Sequence, residues 1–493
     1  MNKHQSLIAI FMLPFLLLCS LPSVMAEEQG EQWQEERMYY ITVDRFFNSN
    51  SENDYNVSPQ NPEGYYGGDI QGITAKLDYI KQLGFSTIWI SPILSSEGYQ
   101  GMSVTDFRKV DEHYGTMEEL QTLVEEAHKR EMNVVMDMVI TETATSHSWK
   151  EEESKSDWYH DPDSTSLNLD NADVQNYMLE TASYWIEETG IDGFSFPNLD
   201  EMPLSFVETY RSHVKELDEA FLLLGKLDSN DATAVNGYHE AGIDLVVNTS
   251  FSETASKAFQ QPSQSVDHVF QLWEENVASL EHPDRVGLFL DAPNDRFTRK
   301  AMEQGENPAT RWKIALTYMY AAPGIPVVQY GTEFMVDQGA DSQSAPMMKF
   351  QSGNDELKTY MEQLAAISDQ FPAMNVGDFE QVVEDGAFGV FKRTYEGESV
   401  YIVVNNDVTA KTVALEDVPQ GKQLRGLLHD SIVREQDNGE YNIVHEREIA
   451  DIYVVEEDTG INFVVVGFIV AVMAAFIAFV VIVSRKNKQS TPS

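Results

Sequence analysis

The sequence predicts an α/β chain: a (β/α)8 TIM barrel with a small insertion after strand 3, a C-terminal antiparallel β domain and one C-terminal transmembrane helix. Three observations carry this reading. Eight short apolar segments alternate with stretches of helical period over residues 38–374, short runs of period two follow over 375–455, and an apolar run covers 461–483. The chain has 493 residues and is 42% hydrophobic, enough for a barrel of roughly 300 residues and a smaller domain.

Residues 1–26 read as a signal peptide. Lys3 precedes the apolar stretch Leu7 to Leu18, and Val24-Met25-Ala26 supplies small residues for cleavage. Cys19 is the only cysteine. Leu18 stands before it where a lipoprotein signal would have a small residue, so the mature chain is expected to hold no thiol.

Arg37 to Val43 has the length and branching of a first strand, Ile73 to Leu83 has helical spacing, and Phe85 to Ile90 is a second strand. Met117 to Arg130 is an amphipathic helix leading into the third strand, Asn133 to Val139. Residues 141–169 are polar and aperiodic, an inserted subdomain on the barrel rim. Helical stretches Val174 to Thr189 and Leu204 to Leu217 alternate with strands Asp192 to Phe196 and Phe221 to Gly225. Ile243 to Val247, Val286 to Leu290 and Ile325 to Gln329 bring the strands to eight. This order argues for right-handed βα units closed into a barrel rather than an open doubly wound sheet.

Over 375–455 the runs Phe388 to Arg393, Ser399 to Val404, Thr409 to Leu415 and Ile452 to Val455 fit an antiparallel β domain. Ile461 to Val483 has Asn462 as its only strongly polar member. At roughly 1.5 Å per residue it reaches across a hydrocarbon core of about 30 Å. Arg485, Lys486 and Lys488 then begin a basic tail, 484–493. That charge pattern predicts a single-pass cell-membrane protein with an extracellular N-terminal domain and a cytoplasmic tail.

Formal net charge is −47, from 33 Lys+Arg against 80 Asp+Glu. Such a field excludes nucleic acid as a partner and repels anionic lipid. It suits saline or alkaline surroundings, or a face that docks cations or a basic wall polymer.

Several stretches carry a family resemblance. Tyr40-Ile41-Thr42-Val43-Asp44-Arg45-Phe46-Phe47-Asn48, Gly67-Gly68-Asp69-Ile70-Gln71-Gly72, Trp89-Ile90-Ser91-Pro92, Asp111-Glu112-His113-Tyr114-Gly115-Thr116 and Pro323 to Glu333 resemble, in order, motifs of the alpha-amylase superfamily of glycoside hydrolases. The likeness runs from about residue 38 to 455. It implies action on α-glucans through one carboxylic acid that protonates the leaving oxygen and one carboxylate that attacks the anomeric carbon.

At the positions where the resemblance implies those groups, the chain departs from the family. The fourth-strand motif reads Gly193-Phe194-Ser195-Phe196-Pro197, with Pro197 in the nucleophile's place and Ser195 in that of a supporting arginine. The fifth reads Leu224-Gly225-Lys226, with Lys226 in place of the acid/base glutamate. After the seventh strand, Asn294 stands for the third carboxylate, and the segment is one residue short, so Asp295 is an alternative occupant. Thr141-Glu142 replaces an Asn-His pair, and Glu201 replaces a histidine. Glu142, Glu201, Asp228 and Asp295 are the candidate substitutes on the same rim.

The leading expectation is therefore a non-catalytic, membrane-tethered ectodomain in a carbohydrate-binding, scaffold or accessory role. Its partners would be an α-glucan, a cell-wall polymer or another membrane or surface protein. The alternative is an alpha-amylase-type glycosidase acting on α-glucans with relocated carboxylates. Asn48, Asn50, Asn53 and Asp54, with Asp69 and the Gly67 carbonyl, resemble a structural calcium site of some bacterial members. Hard oxygen donors from two loops suit Ca²⁺, and a solvated polar turn is the competing reading.

Overall fold

A computed structural model describes residues 36–489, apart from 230, 340–343, 352, 354, 459, 461 and 462. The expected signal peptide, 1–26, lies outside the described residues. Eight parallel strands close a barrel: β1 Met38–Ile41, β2 Thr87–Ile90, β3 Asn133–Asp137, β4 Gly193–Phe196, β5 Leu222–Leu227, β6 Leu245–Asn248, β7 Val286–Leu288 and β8 Ile325–Gln329. Neighbours in space are neighbours in sequence, and β1 closes the ring by pairing Tyr40 with Trp89 on one side and Gln329 on the other.

Both faces of every strand are covered, which is why the strands read as continuous apolar runs. In β1, Met38 and Tyr40 join Trp89, Val135, Leu222, Leu224, Leu245, Val247, Ile325 and Val327 in the lumen. Tyr39 and Ile41 face the other way, into the layer shared with the surrounding helices. Those helices start where local chemistry allows. Thr116 and Glu119 form a reciprocal capping box on Met117–His128, and Asn171 caps Ala172–Thr189, which Gly190 ends in the left-handed conformation.

Between Thr141 and Leu169 the insertion folds around aromatic rings. Trp149 is buried, stacks on Phe107 at 5.4 Å and meets Trp158 edge-on at 4.7 Å. The His147-Trp149 and Trp158-Tyr159 aromatics thus build the subdomain's core.

Beyond the barrel lie β9 Asp378–Asp385, β10 Phe388–Tyr395, β11 Glu398–Asn405, β12 Lys411–Leu415, β13 Lys422–Gly426, β14 Ile432–Arg434, β15 Tyr441–His445 and β16 Ile449–Glu457. They form an antiparallel sheet in the order β9-β10-β11-β16-β13-β14 and a separate pair, β12-β15. Asn406 locks this domain to the barrel. Its fully buried amide donates to the carbonyls of Ala258, Gln261 and Gln264 and accepts from Arg311 Nη1 at 2.7 Å.

The C-terminal helix requires a correction. It spans Phe463–Gln489, so it continues past residue 484, where the cytoplasmic tail was expected to begin. Among the described residues no helix is long and apolar enough to cross a membrane. Its described side chains, residues 467–482, are exposed. The transmembrane helix over 461–483, the cytoplasmic tail over 484–493, the membrane as partner and the single-pass cell-membrane localisation are not supported.

His445 closes β15 with 1% of its surface exposed, and neither ring nitrogen has a hydrogen-bond partner among the described residues. Burial, reinforced by His429 and opposed by Asp451, lowers its pKa to about 4. The unfolded chain takes up a proton there near pH 6.5 that the native state refuses. Stability should be intact above pH 6.5 and fall as the pH drops toward 4. In urea unfolding, His445→Gln should make that loss shallower by about 1–3 kcal/mol; an unchanged slope would refute the assignment.

Candidate active site

The parity that fills the lumen also builds the barrel's C-terminal mouth. Continuing the inward positions of β1, β2, β3 and β5 brings Tyr40, Trp89, Asp137 and Lys226 to its top layer. Asp137 is 1% exposed. Its Oδ2 accepts from the Tyr40 hydroxyl at 2.9 Å and its Oδ1 from Trp89 Nε1 at 2.8 Å. Burial and the adjacent Asp137 carboxylate raise the Tyr40 phenol well above its ordinary pKa, so it stays protonated as a donor. Lys226 Nζ sits 3.7 Å from Asp137 Oδ2, and 4.5 and 5.1 Å from the Tyr40 and Trp89 ring centres.

Over this cluster opens a cavity of about 180 Å³. Pro197 and Asn294 line it together with Lys226, so the structure gathers the three replaced family positions around one space. Asp137 is the only carboxylate among its lining residues. Ser195 is fully buried, and its hydroxyl has no partner among the described residues.

The candidate substitute carboxylates separate. Glu142 follows β3 and Glu201 ends the single turn Leu199–Glu201 after β4. The two loops are tied by Asn198 Nδ2 donating to Thr141 Oγ1 at 3.3 Å. Partial burial, then the nearby Glu201 charge, raises the Glu142 pKa. Asp228 is exposed and accepts from Thr249 Oγ1 at 2.5 Å. Asp295 is 61% exposed and pairs with Lys300 at 2.7 Å, leaving Asn294 on the cavity wall.

The early loop divides its expected cation ligands. Asp69 is committed to backbone, accepting from Ser49 N, Asn50 N and Gly72 N at 2.9, 2.7 and 2.6 Å. Asn50 caps the turn through Glu52 N. Asn48 Nδ2 donates to Asp54 Oδ1 at 2.8 Å, and Gly67, at φ +89°, lies so close that a Cβ would come within 2.7 Å of both. Asn53 is 7% exposed, yet neither polar atom of its side chain has a partner among the described residues. Among the described residues no three His, Cys, Asp or Glu side chains converge on a metal position. Amide and carbonyl oxygens with one carboxylate, from Asn48, Asn53, Asp54 and Gly67, fit a hard cation, and the buried orphan amide is the observation that favours one.

Comparison with known proteins follows the same architecture. The profile described as "Alpha amylase, catalytic domain" matches residues 40–166 and 159–378, and "Alpha-amylase C-terminal domain" matches 377–453. This chain belongs to the alpha-amylase family.

Among solved structures, an Anoxybacillus alpha-amylase is 39% identical with a TM-score of 0.84, covering 87% of this chain and 99% of that one. An alpha-amylase from Geobacillus thermoleovorans, complexed with acarbose, is 35% identical with a TM-score of 0.81 and the same coverages. A cyclomaltodextrinase of Thermoanaerobacter pseudethanolicus is 26% identical over 80% of this chain and 74% of its own length. A beta/alpha-amylase of Paenibacillus polymyxa is 28% identical, and the match spans 36% of that protein. The expectation of a non-catalytic, membrane-tethered binding or scaffold protein is corrected by these matches and by the finding that, among the described residues, no helix is long and apolar enough to cross a membrane. This alpha-amylase family member is better described by the glycosidase alternative.

The sequence singles out Tyr40 and Trp89 only as family markers and Asp137 only as part of the third strand. Their joint role in holding Lys226 was hidden, because it depends on which strands adjoin and on period-two parity. Removing Asp137 would strand two donors and a cation. Asp137→Leu should therefore destabilise the protein by about 3–5 kcal/mol. Lys226→Met, at a one-third exposed position, should cost less than about half of that; denaturant midpoints check the order.

Proposed function

We propose that the protein is an alpha-amylase-type glycosidase acting on α-glucans, with relocated carboxylates. Hydrolysis by the family's route needs ionisable oxygens on both sides of the linkage, and Pro197 and Asn294 offer none. Lys226 can donate a proton but cannot alternate between carboxylic acid and carboxylate. The family's three positions are therefore inactive in this chain. The observation that carries the proposal is the coupling of Glu142 to Glu201 across the tied β3 and β4 loops. A half-buried carboxyl with a raised pKa suits a general acid, and an exposed partner suits the base or nucleophile.

The test uses full-length protein with starch, maltodextrins and aryl α-glucosides at neutral and alkaline pH. Sugar release is expected from the parent and should fall at least about 100-fold in Glu142→Gln and in Glu201→Gln. The alkaline limb of the rate profile should shift when Glu142 is changed. No release from the parent, or full activity in both variants, would overturn the reading.

We also propose that Ca²⁺ binds at Asn48, Asn53, Asp54 and the Gly67 carbonyl, tying the early loop together. Calcium at about 100 times its Kd would then add about 2.7 kcal/mol of stability, seen as a rise in Tm of a few degrees. Chelation should reverse the gain, and Asn53→Ala should abolish the response. Equal melting curves with calcium and with chelator would remove the site.

A further inference from the structure

The cavity at the barrel mouth carries the Lys226 ammonium where the family resemblance implies a glutamate. We propose that it selects a hexose unit bearing an anionic group, carboxylate or phosphate, and that Lys226 binds that group. The inference rests on the reading that this cavity receives a saccharide.

Four features lead there. Lys226 Nζ lies 3.7 Å from Asp137, beyond hydrogen-bond reach, and its three N–H donors make no hydrogen bond among the described residues. Asp137, the only carboxylate lining the cavity among the described residues, is 1% exposed and already holds Tyr40 and Trp89, whereas the Lys226 side chain is one-third exposed. A ligand entering the cavity therefore meets the ammonium first. The polar groups beside it, Gln100 and Asn294, are neutral and can address sugar hydroxyls. Tyr99, Met102 and Pro197 add apolar wall for a ring face.

Size limits the occupant. About 180 Å³ is small beside the roughly 300–1,000 Å³ of drug-sized sites, so about one ring of a saccharide sits inside the cavity. A charge-assisted hydrogen bond from an ammonium is about twice as strong as a neutral one. The opposing factor is the chain's net charge of −47, which repels anions at a distance. Near physiological salt that field is screened beyond about 8 Å, and the contact with Lys226 decides.

The experiment is calorimetric titration of full-length protein near physiological salt. Its probes are maltose, maltose 6′-phosphate, an α-glucuronosyl-glucose disaccharide and inorganic phosphate. At least one acidic disaccharide should bind tenfold or more tightly than maltose, and the better of the two distinguishes phosphate from carboxylate. Lys226→Gln should erase that preference, while Lys226→Arg, which keeps the charge, should retain it. A single cooperative thermal unfolding transition in each variant checks that the fold is kept. Equal binding of maltose and both acidic sugars overturns the inference alone, as does a preference that survives in Lys226→Gln. Inorganic phosphate binding as tightly as the acidic sugars also overturns it. Failure to bind any saccharide overturns the underlying reading of the cavity as well, whereas sugar release in the Glu142 and Glu201 assay is read separately.

Discussion

A closed ring of eight parallel strands obliges every second residue to fill the lumen, and the rest of this structure depends on that obligation. Met38, Val135, Leu222, Leu224 and Ile325 meet it with hydrocarbon. At the C-terminal mouth the same parity offers Tyr40, Trp89, Asp137 and Lys226, which are too polar to be buried unpaired. The hydrogen bonds from Tyr40 and Trp89 make Asp137 tolerable in the interior, and Asp137 in turn holds the Lys226 ammonium at the edge of the cavity. Packing and chemistry are settled by one geometric rule.

That arrangement moves the negative charge away from where the family's chemistry would place it. Around the cavity stand Pro197, Lys226 and Asn294, with the one carboxylate beneath them. The acidic side chains free to act are farther out, on loops. Of these, Asp228 is bonded by Thr249 and Asp295 faces Lys300. Glu142 and Glu201 are left as the pair whose mutual repulsion is felt in the Glu142 pKa. A mouth with a cation at its centre and carboxylates on its rim is an electrostatic inversion of the arrangement the family resemblance implies.

The fold was legible wherever burial was two-sided. All eight barrel strands appear within a few residues of their expected places, because continuous apolar runs leave few alternatives. The ends drift where tertiary bonds take over. Val43 to Phe46, contiguous with the first strand in sequence, turns into helix as the Asp44 carboxylate accepts from Tyr66 and Gly67. β9 was missed because DFEQVVED is an edge strand without clean alternation, and the helix Glu356–Gln370 lay between recognised motifs.

The site was legible by identity and opaque by direction. Pro197, Lys226 and Asn294, which motif register places after three different strands, line one cavity. It could not say whether Asp295 or Asn294 faces inward, since a segment one residue short can close in either sense. The backbone answers this: Ala292 and Asp295 pair across a tight turn, which points the Asp295 carboxylate toward Lys300 and leaves Asn294 on the wall. In the early loop, likewise, six candidate oxygen donors read alike in sequence. Folding spends Asp69 and Asn50 on backbone N–H groups and leaves the buried Asn53 amide without a partner among the described residues, a difference that side-chain identity alone does not show.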